Sequence, residues 1–216
     1  MVETSGLPDG RLILNDDADS EVVRWFDVET GVLGAPTRVC GYVGAAVALD
    51  ARRILISACD QQAVIADMAA GTVDLEGLRF DRAFRLDAKR VALAIATYYS
   101  DQSSNVTERI TAVYDQSDGS VQSVPTGVRI GGTIAVAGDR LMAFGSNADA
   151  SDVAVAYDTR TWAASELPPM LAPRSGARTA ILQDGRVLIV GGVRQSPDRT
   201  DPVRPAAELF DPTLVP

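Results

Sequence analysis

The hydrophobic and polar positions are most legible from Arg178 to Asp211, RTAILQDGRVLIVGGVRQSPDRTDPVRPAAELFD. Thr179 to Leu182 is a short extended run, and Gln183-Asp184-Gly185 stops it with a hairpin signal, since Gly accepts positive φ. Arg186 to Val190 is almost wholly aliphatic and predicts a strand buried on both faces, closed by Gly191-Gly192 where side chains no longer fit. After a loop, Ala207 to Phe210 resumes the extended pattern. Asp211-Pro212 ends it, because Asp caps turns with its own carboxylate and Pro cannot continue a ladder.

The same unit recurs. A basic residue launches an aliphatic run at Arg11, Arg53, Arg90, Arg140 and Arg186, with steps of 42, 37, 50 and 46 residues. An Asp closes a further strand at Asp27, Asp67, Asp115, Asp158 and Asp211, with steps of 40, 48, 43 and 53. Four of these follow an aromatic: Phe26, Tyr114, Tyr157 and Phe210. Beyond the Asp, the pattern D-x-x-x-G puts Gly31, Gly71 and Gly119 where a tight turn into a fourth strand needs them, and Trp162 takes that slot in the fourth copy. Two markers with one period of about 40 to 50 residues predict an all-β fold, a β-propeller of about five four-stranded antiparallel blades. The expectation is a single domain over 1–216, with blades at 2–38, 40–79, 80–126, 127–170 and 171–216. Val2 to Ser5 would supply the innermost strand of the first blade. Only Thr213 to Pro216 is left for the outermost strand of the fifth, so that blade is incomplete, and either the ring closes by side-chain packing alone or the chain is part of a longer polypeptide with further blades or domains.

In the last copy the Leu182-x-Asp184-Gly185-Arg186 to Gly192 run, the later Phe210-Asp211 and Pro173-Arg174-Ser175-Gly176 resemble the kelch repeat family, as in bacterial-type kelch motif proteins. The match is partial in the first and fourth copies, where Asn15-Asp16 and Gly145-Ser146 replace the double Gly. Ala58-Cys59 and Ala96-Thr97 replace it in the second and third. The resemblance implies a non-catalytic binding or scaffold module that presents loops to a protein, peptide or glycan. Some kelch-like propellers belong to copper radical oxidases with histidine metal sites; this chain contains no His, which closes that branch by residue type.

Composition narrows the function further. With 20 Lys and Arg against 29 Asp and Glu, the formal net charge is -9, which favours solubility and argues against a nucleic-acid surface. No apolar run approaches the length of a membrane span, and Met1-Val2-Glu3-Thr4 opens without the apolar region of a signal peptide. Nothing in the composition separates a secreted or periplasmic setting from a cytoplasmic one. Without His there is no Ser-His-Asp or Cys-His arrangement and no imidazole base. Gly131-Gly132 and Gly191-Gly192 lack the phosphate-loop pattern and read as strand ends. No cofactor is expected.

Carboxylates, tyrosines and arginines remain. The connections between second and third strands of the predicted blades would gather on one face, where Asp16, Asp17 and Asp19, Asp60, Tyr98, Tyr99 and Asp101, Asp149, Arg194 and Arg199 are the candidate contact residues. Tyr and Arg combine area with directional hydrogen bonds, as binding hot spots require. The Asp16-Asp17-x-Asp19 cluster has the oxygens a hard cation prefers but lacks the Gly-spaced loop and distal Glu of a calcium motif, so no metal is expected. The alternative is a carboxylate-based hydrolase or lyase, in which two of these acids serve as acid and base. Trp25 and Trp162 are expected to pack between blades. The hairpin around Asp50-Ala51-Arg52 pairs positions summing to about 102, which sets Cys40 opposite residue 62, and a bulge or slip of about two residues would bring it to Cys59. An oxidising compartment would make that pair a disulfide, and a reducing one would leave two buried thiols.

Overall fold

A computed structural model describes residues 11–16, 19–39, 44–58, 62–67, 71–98, 106–125, 128–130, 132–145, 153–171, 175–193 and 207–212. Within them the chain is all-β with no helix, and its strands form several antiparallel sheets, none of which closes into a barrel. The predicted strands 2–5 and 213–216 lie outside the described residues, as do Cys40 and Cys59.

The first sheet has the order β1 (Arg11–Asp16), β2 (Asp19–Asp27), β3 (Thr37–Arg38). The second runs β4 (Ala45–Ala48), β5 (Arg53–Ala58), β6 (Gln62–Asp67), β7 (Gly71–Arg79). In the third, β8 (Arg82–Arg85), β9 (Arg90–Tyr98), β10 (Val106–Asp115) and β11 (Val121–Ser123) are successive neighbours, and β12 (Arg129–Ile130) also pairs with β10. The fourth is β13 (Thr133–Ala137), β14 (Arg140–Phe144), β15 (Ala154–Asp158), β16 (Ala164–Leu167). The fifth is β17 (Ser175–Ile181), β18 (Val187–Val193), β19 (Glu208–Phe210).

The repeat markers fall at strand ends. Arg11, Arg53, Arg90 and Arg140 are the first residues of β1, β5, β9 and β14, and Arg186 directly precedes β18. Asp27, Asp67, Asp115 and Asp158 are the last residues of β2, β6, β10 and β15, and Asp211 follows β19. Basic and acidic markers face one another in register, Arg11 with Asp27, Arg53 with Asp67 and Arg140 with Asp158. The β4–β5 hairpin has the expected register, with Ala45 opposite Ser57 and Ala48 opposite Ile54. Gly71 opens β7 opposite Asp67.

The chain forms two compact units whose boundary runs through the third sheet. One holds the first two sheets with β8, Lys89–Ile95 and Val113–Val121; the other holds the remainder of the third sheet with the fourth and fifth. In the first unit the second sheet is buried on both faces. Alternate residues of a strand point to opposite faces. Ala46, Ile54, Ile56 and Val64 therefore pack with Val23, Trp25 and Val39 of the first sheet side, while Val47, Leu55 and Ile65 pack with Phe80, Leu93 and Tyr114. This double burial is why Ile54-Leu55-Ile56 in β5 is an unbroken aliphatic run, each such side chain contributing about 1.5–3 kcal/mol on leaving water. Trp25 is a packing residue, as expected. Polar links reinforce the contact: the Ser57 hydroxyl donates to the Phe80 carbonyl at 2.5 Å, and the Arg85 guanidinium donates to the carbonyls of Ala48 and Leu49.

In the second unit, Met142, Phe144, Ala156 and Leu167 of the fourth sheet pack against Ala177, Val187, Ile189 and Phe210 of the fifth. Phe144 meets Phe210 edge-on, ring centroids 5.1 Å apart at 72°. The Thr179 hydroxyl donates to the Ile134 carbonyl at 2.5 Å, tying β17 to β13. Leu141 and Tyr157, on the other face of the fourth sheet, are also buried.

Three expectations are corrected. First, the Arg186–Val190 run is not buried on both faces: Val187 and Ile189 are covered, whereas Val190 is 46% exposed. Aliphatic character across a strand records the chemistry of both faces, not whether a neighbour covers them. Second, Gly191-Gly192 does not end the strand, since β18 continues to Val193. A Cβ at Gly191 would meet nothing within 4 Å; what the position requires is its φ of +72°. Third, Arg129-Ile130, assigned to the fourth repeat, pairs with β10 of the third, Arg129 opposite Arg109 and Ile130 opposite Glu108. β10 has ten residues and β11 only three, so the N-terminal half of β10 would be an open edge without β12.

Candidate functional site

In sequence, the expected contact residues lie between β1 and β2 in the first sheet and at or between the second and third strands in the other four. Asp16 ends β1 and Asp19 begins β2, paired opposite one another just beyond a register shift at Asn15 and Asp16. Tyr98 is the last residue of β9. For these three only the backbone is described. Asp17, Asp60, Tyr99, Asp101, Asp149, Arg194 and Arg199 lie outside the described residues, as does the Cys40 and Cys59 pair. Among the described residues no three potential metal-ligating side chains come together, and no helix is long and apolar enough to cross a membrane.

At the other ends of the same strands, aspartates build turns. Asp27 Oδ1 accepts from the amides of Glu29 and Thr30 at 3.0 and 2.9 Å. Asp115 Oδ1 accepts from the Ser117 amide at 2.8 Å, and Asp158 Oδ1 from the amides of Arg160 and Thr161 at 2.9 and 2.7 Å. In each copy the residue four positions on closes the turn: Gly31, Gly119 and Trp162 donate to the carbonyls of Asp27, Asp115 and Asp158 at 2.8, 2.9 and 2.8 Å. The amide of Thr161, then that of Arg160, holds the Asp158 carboxyl below the usual aspartate range.

Arginine and aspartate also pair across adjacent turns, a feature the sequence reading did not single out. At the β4–β5 turn, Asp50, Ala51, Arg52, Arg53 and Asp67 line a shallow depression of about 360 Å³. Arg53 Nε lies 2.7 Å from Asp50 Oδ2, and an Arg52 guanidinium nitrogen lies 3.2 Å from Asp67 Oδ1. Burial pushes the Asp50 carboxyl up, but the Arg52 amide, the Arg53 guanidinium and the Arg53 amide together outweigh it and hold the group low. In the fourth sheet Arg160 pairs with Asp139 at 3.1 Å across two turns with the roles exchanged, and in the fifth Arg186 pairs with Asp184 at 2.6 Å within one turn. Two arginines balance two aspartates in the depression.

Burial shifts the tyrosines in the opposite sense. Desolvation raises the Tyr114 and Tyr157 phenols above their ordinary value. Tyr157 donates its hydroxyl to the Arg129 carbonyl at 2.9 Å, a bond that requires the protonated phenol.

No family model matches the chain, and no curated protein does. Among solved structures, the chain is similar in fold to a fungal alcohol oxidase described as having catalytic diversity among the AA5 family, in complex with copper. The TM-score is 0.69 at 17% sequence identity, and the likeness covers 97% of this chain but 50% of that one. The chain thus spans half the length of the oxidase chain it matches, and at this identity the likeness concerns fold alone.

Proposed function

We propose that the five antiparallel sheets are blades of a kelch-like β-propeller, and that the chain is a non-catalytic module presenting the connections between second and third strands to a protein, peptide or glycan. The five-fold recurrence of Arg and Asp at matching strand ends, and the likeness in fold to a larger β-rich enzyme, support the architectural half. The observation that carries the functional half is electrostatic. Every described carboxylate with a displaced pKa, namely Asp50, Asp118, Asp158 and Asp184, is displaced downward by turn amides, a serine hydroxyl or arginines. Carboxylates held in this way anchor turns; a general acid needs the opposite displacement. Copper oxidation is not carried over from the structural neighbour, because this chain has no histidine with which to ligate the metal.

The test is to probe peptide and glycan arrays with the labelled protein and with the Tyr98→Ala/Tyr99→Ala and Arg194→Ala/Arg199→Ala variants. Binding to one ligand class that both variants lose, with unchanged circular dichroism, is the expected result. Equal binding by the variants would remove these loops from the reading, and cleavage of a bound glycan or peptide would replace it with a carboxylate hydrolase or lyase.

A further inference from the structure

Two arginines face one another where β12 joins the third sheet. Arg109 of β10 stands opposite Arg129 of β12 in the antiparallel register. One step along the same ladder, the Ile110 amide donates to the Val128 carbonyl at 3.1 Å. Hydrogen-bonded and non-hydrogen-bonded pairs alternate in an antiparallel ladder, so Arg109 and Arg129 form a non-hydrogen-bonded pair, the kind whose side chains stand closer. Their Cβ atoms are then about 4.5–5.5 Å apart on one face, and like charges so placed repel. Arg109 is half-buried and Arg129 is exposed.

The sheet brings no acid to neutralise them. β9, β11 and β12 contain neither Asp nor Glu. In β10, strand alternation turns Glu108 to the opposite face, and Asp115 lies about 20 Å further along. Elsewhere Arg38, Arg52, Arg53 and Arg160 each lie 2.7 to 3.6 Å from a carboxylate. Among the described residues neither Arg109 nor Arg129 has such a partner. The pair is nevertheless held in place, because the Tyr157 hydroxyl donates to the Arg129 carbonyl at 2.9 Å and the Val128 bond fixes the chain one residue earlier. Burial raises the Tyr157 phenol, while its bond to the Arg129 backbone and the nearby Arg129 charge oppose that rise.

We propose that Arg109 and Arg129 form a binding site for a phosphate dianion, free or as a monoester, whose oxygens bridge the two guanidinium groups. Each guanidinium presents a planar fork of N–H donors that matches two oxygens of a tetrahedral anion. A dianion neutralises both charges, whereas a carboxylate neutralises one. The inference does not rest on what the loops between second and third strands bind.

Inorganic phosphate titrated at low ionic strength, with the arginine Nε–Hε resonances followed by NMR, tests it. The Arg109 and Arg129 signals are expected to shift together and saturate, with half-saturation on the order of 1 mM. Arg109→Gln/Arg129→Gln should abolish saturation, and Arg129→Lys, which keeps the charge without the fork, should weaken binding about tenfold. Arg38→Gln changes an exposed, ion-paired arginine of the first sheet and should leave binding intact. Thermal unfolding guards against a folding defect: without phosphate, Arg129→Gln should melt no lower than the wild type because a repulsion is removed, and saturating phosphate should raise the wild type alone. Phosphoserine that competes with phosphate supports the site as one for monoesters, and phosphoserine that does not supports it as one for the free ion. A response that chloride reproduces at matched ionic strength, or that the double variant retains, overturns the proposal.

Discussion

Trp162 donates its backbone amide to the carbonyl of Asp158 at 2.8 Å with a φ of +60°, filling a turn position that Gly31 and Gly119 fill elsewhere with φ of +71° and +75°. It is the one non-glycine among the described residues in the left-handed region, which costs an L-residue about 1–2 kcal/mol. Trp162→Ala and Trp162→Gly both delete the indole, but only Gly also relieves the backbone. The glycine variant is expected to be more stable than the alanine variant by about 1 kcal/mol in urea unfolding. Equal midpoints would mean that the turn stores no such strain.

Acid should weaken the fold through its turns. Asp50, Asp118, Asp158 and Asp184 bind their protons less tightly folded than at the ordinary value of 3.8. The unfolded chain therefore takes up protons first, and their contribution is complete above that value and lost as pH falls through the lower folded values. Urea midpoints measured as the pH is lowered through this region should decline, and Asp158→Asn, which keeps the turn acceptor without the titration, should make the decline shallower.

Tyr157→Phe removes the hydrogen bond to the Arg129 carbonyl while preserving the ring. The expected loss is about 1 kcal/mol, the usual net value of a part-buried hydrogen bond whose acceptor is left behind. Amide exchange should quicken around Arg129 and Ile130 in particular, since this bond ties β12 to β15. Uniform quickening throughout the chain would point to general destabilisation instead.

The double burial of the second sheet and the single burial of the fifth predict unequal mutational costs. Ile56→Ala, at a fully buried position, should cost about 2–5 kcal/mol. Val190→Ala, measured at a low protein concentration, should cost less than about 1 kcal/mol. Comparable losses at the two positions would show that the outer face of the fifth sheet is covered within one chain.

The strands were legible in the sequence because turn chemistry is local: Asp50-Ala51-Arg52, Asp184-Gly185 and the aromatic-Asp pairs mark strand ends without reference to any distant residue. The hairpin register followed from the same local signal. Coverage was not legible. Val187 to Val190 reads like Ile54 to Ser57, yet only the latter is enclosed on both sides, since enclosure depends on a neighbouring sheet. The pairing of β12 with β10 escaped for a similar reason: two residues, Arg129 and Ile130, carry no periodicity, and their place is set by an edge that β11 leaves uncovered. Of the candidate site, only the Asp16, Asp19 and Tyr98 positions fall on described backbone. The turn at Asp50 to Arg53 is strand punctuation in the sequence, and the hydrogen bonds of Asp50 there serve that structural role.

The two residues of β12 also bear on how the repeats divide. Arg129 and Ile130 follow the last strand of the third repeat in the chain yet complete an edge of the third sheet, while the Arg129 carbonyl is held by a tyrosine of the fourth. A cut between these repeats placed by sequence period would remove that edge from one side and the hydroxyl's acceptor from the other. At this junction the modular unit is accordingly larger than the period, and transplanting the third or the fourth repeat requires the piece to keep the short segment that overlaps its neighbour.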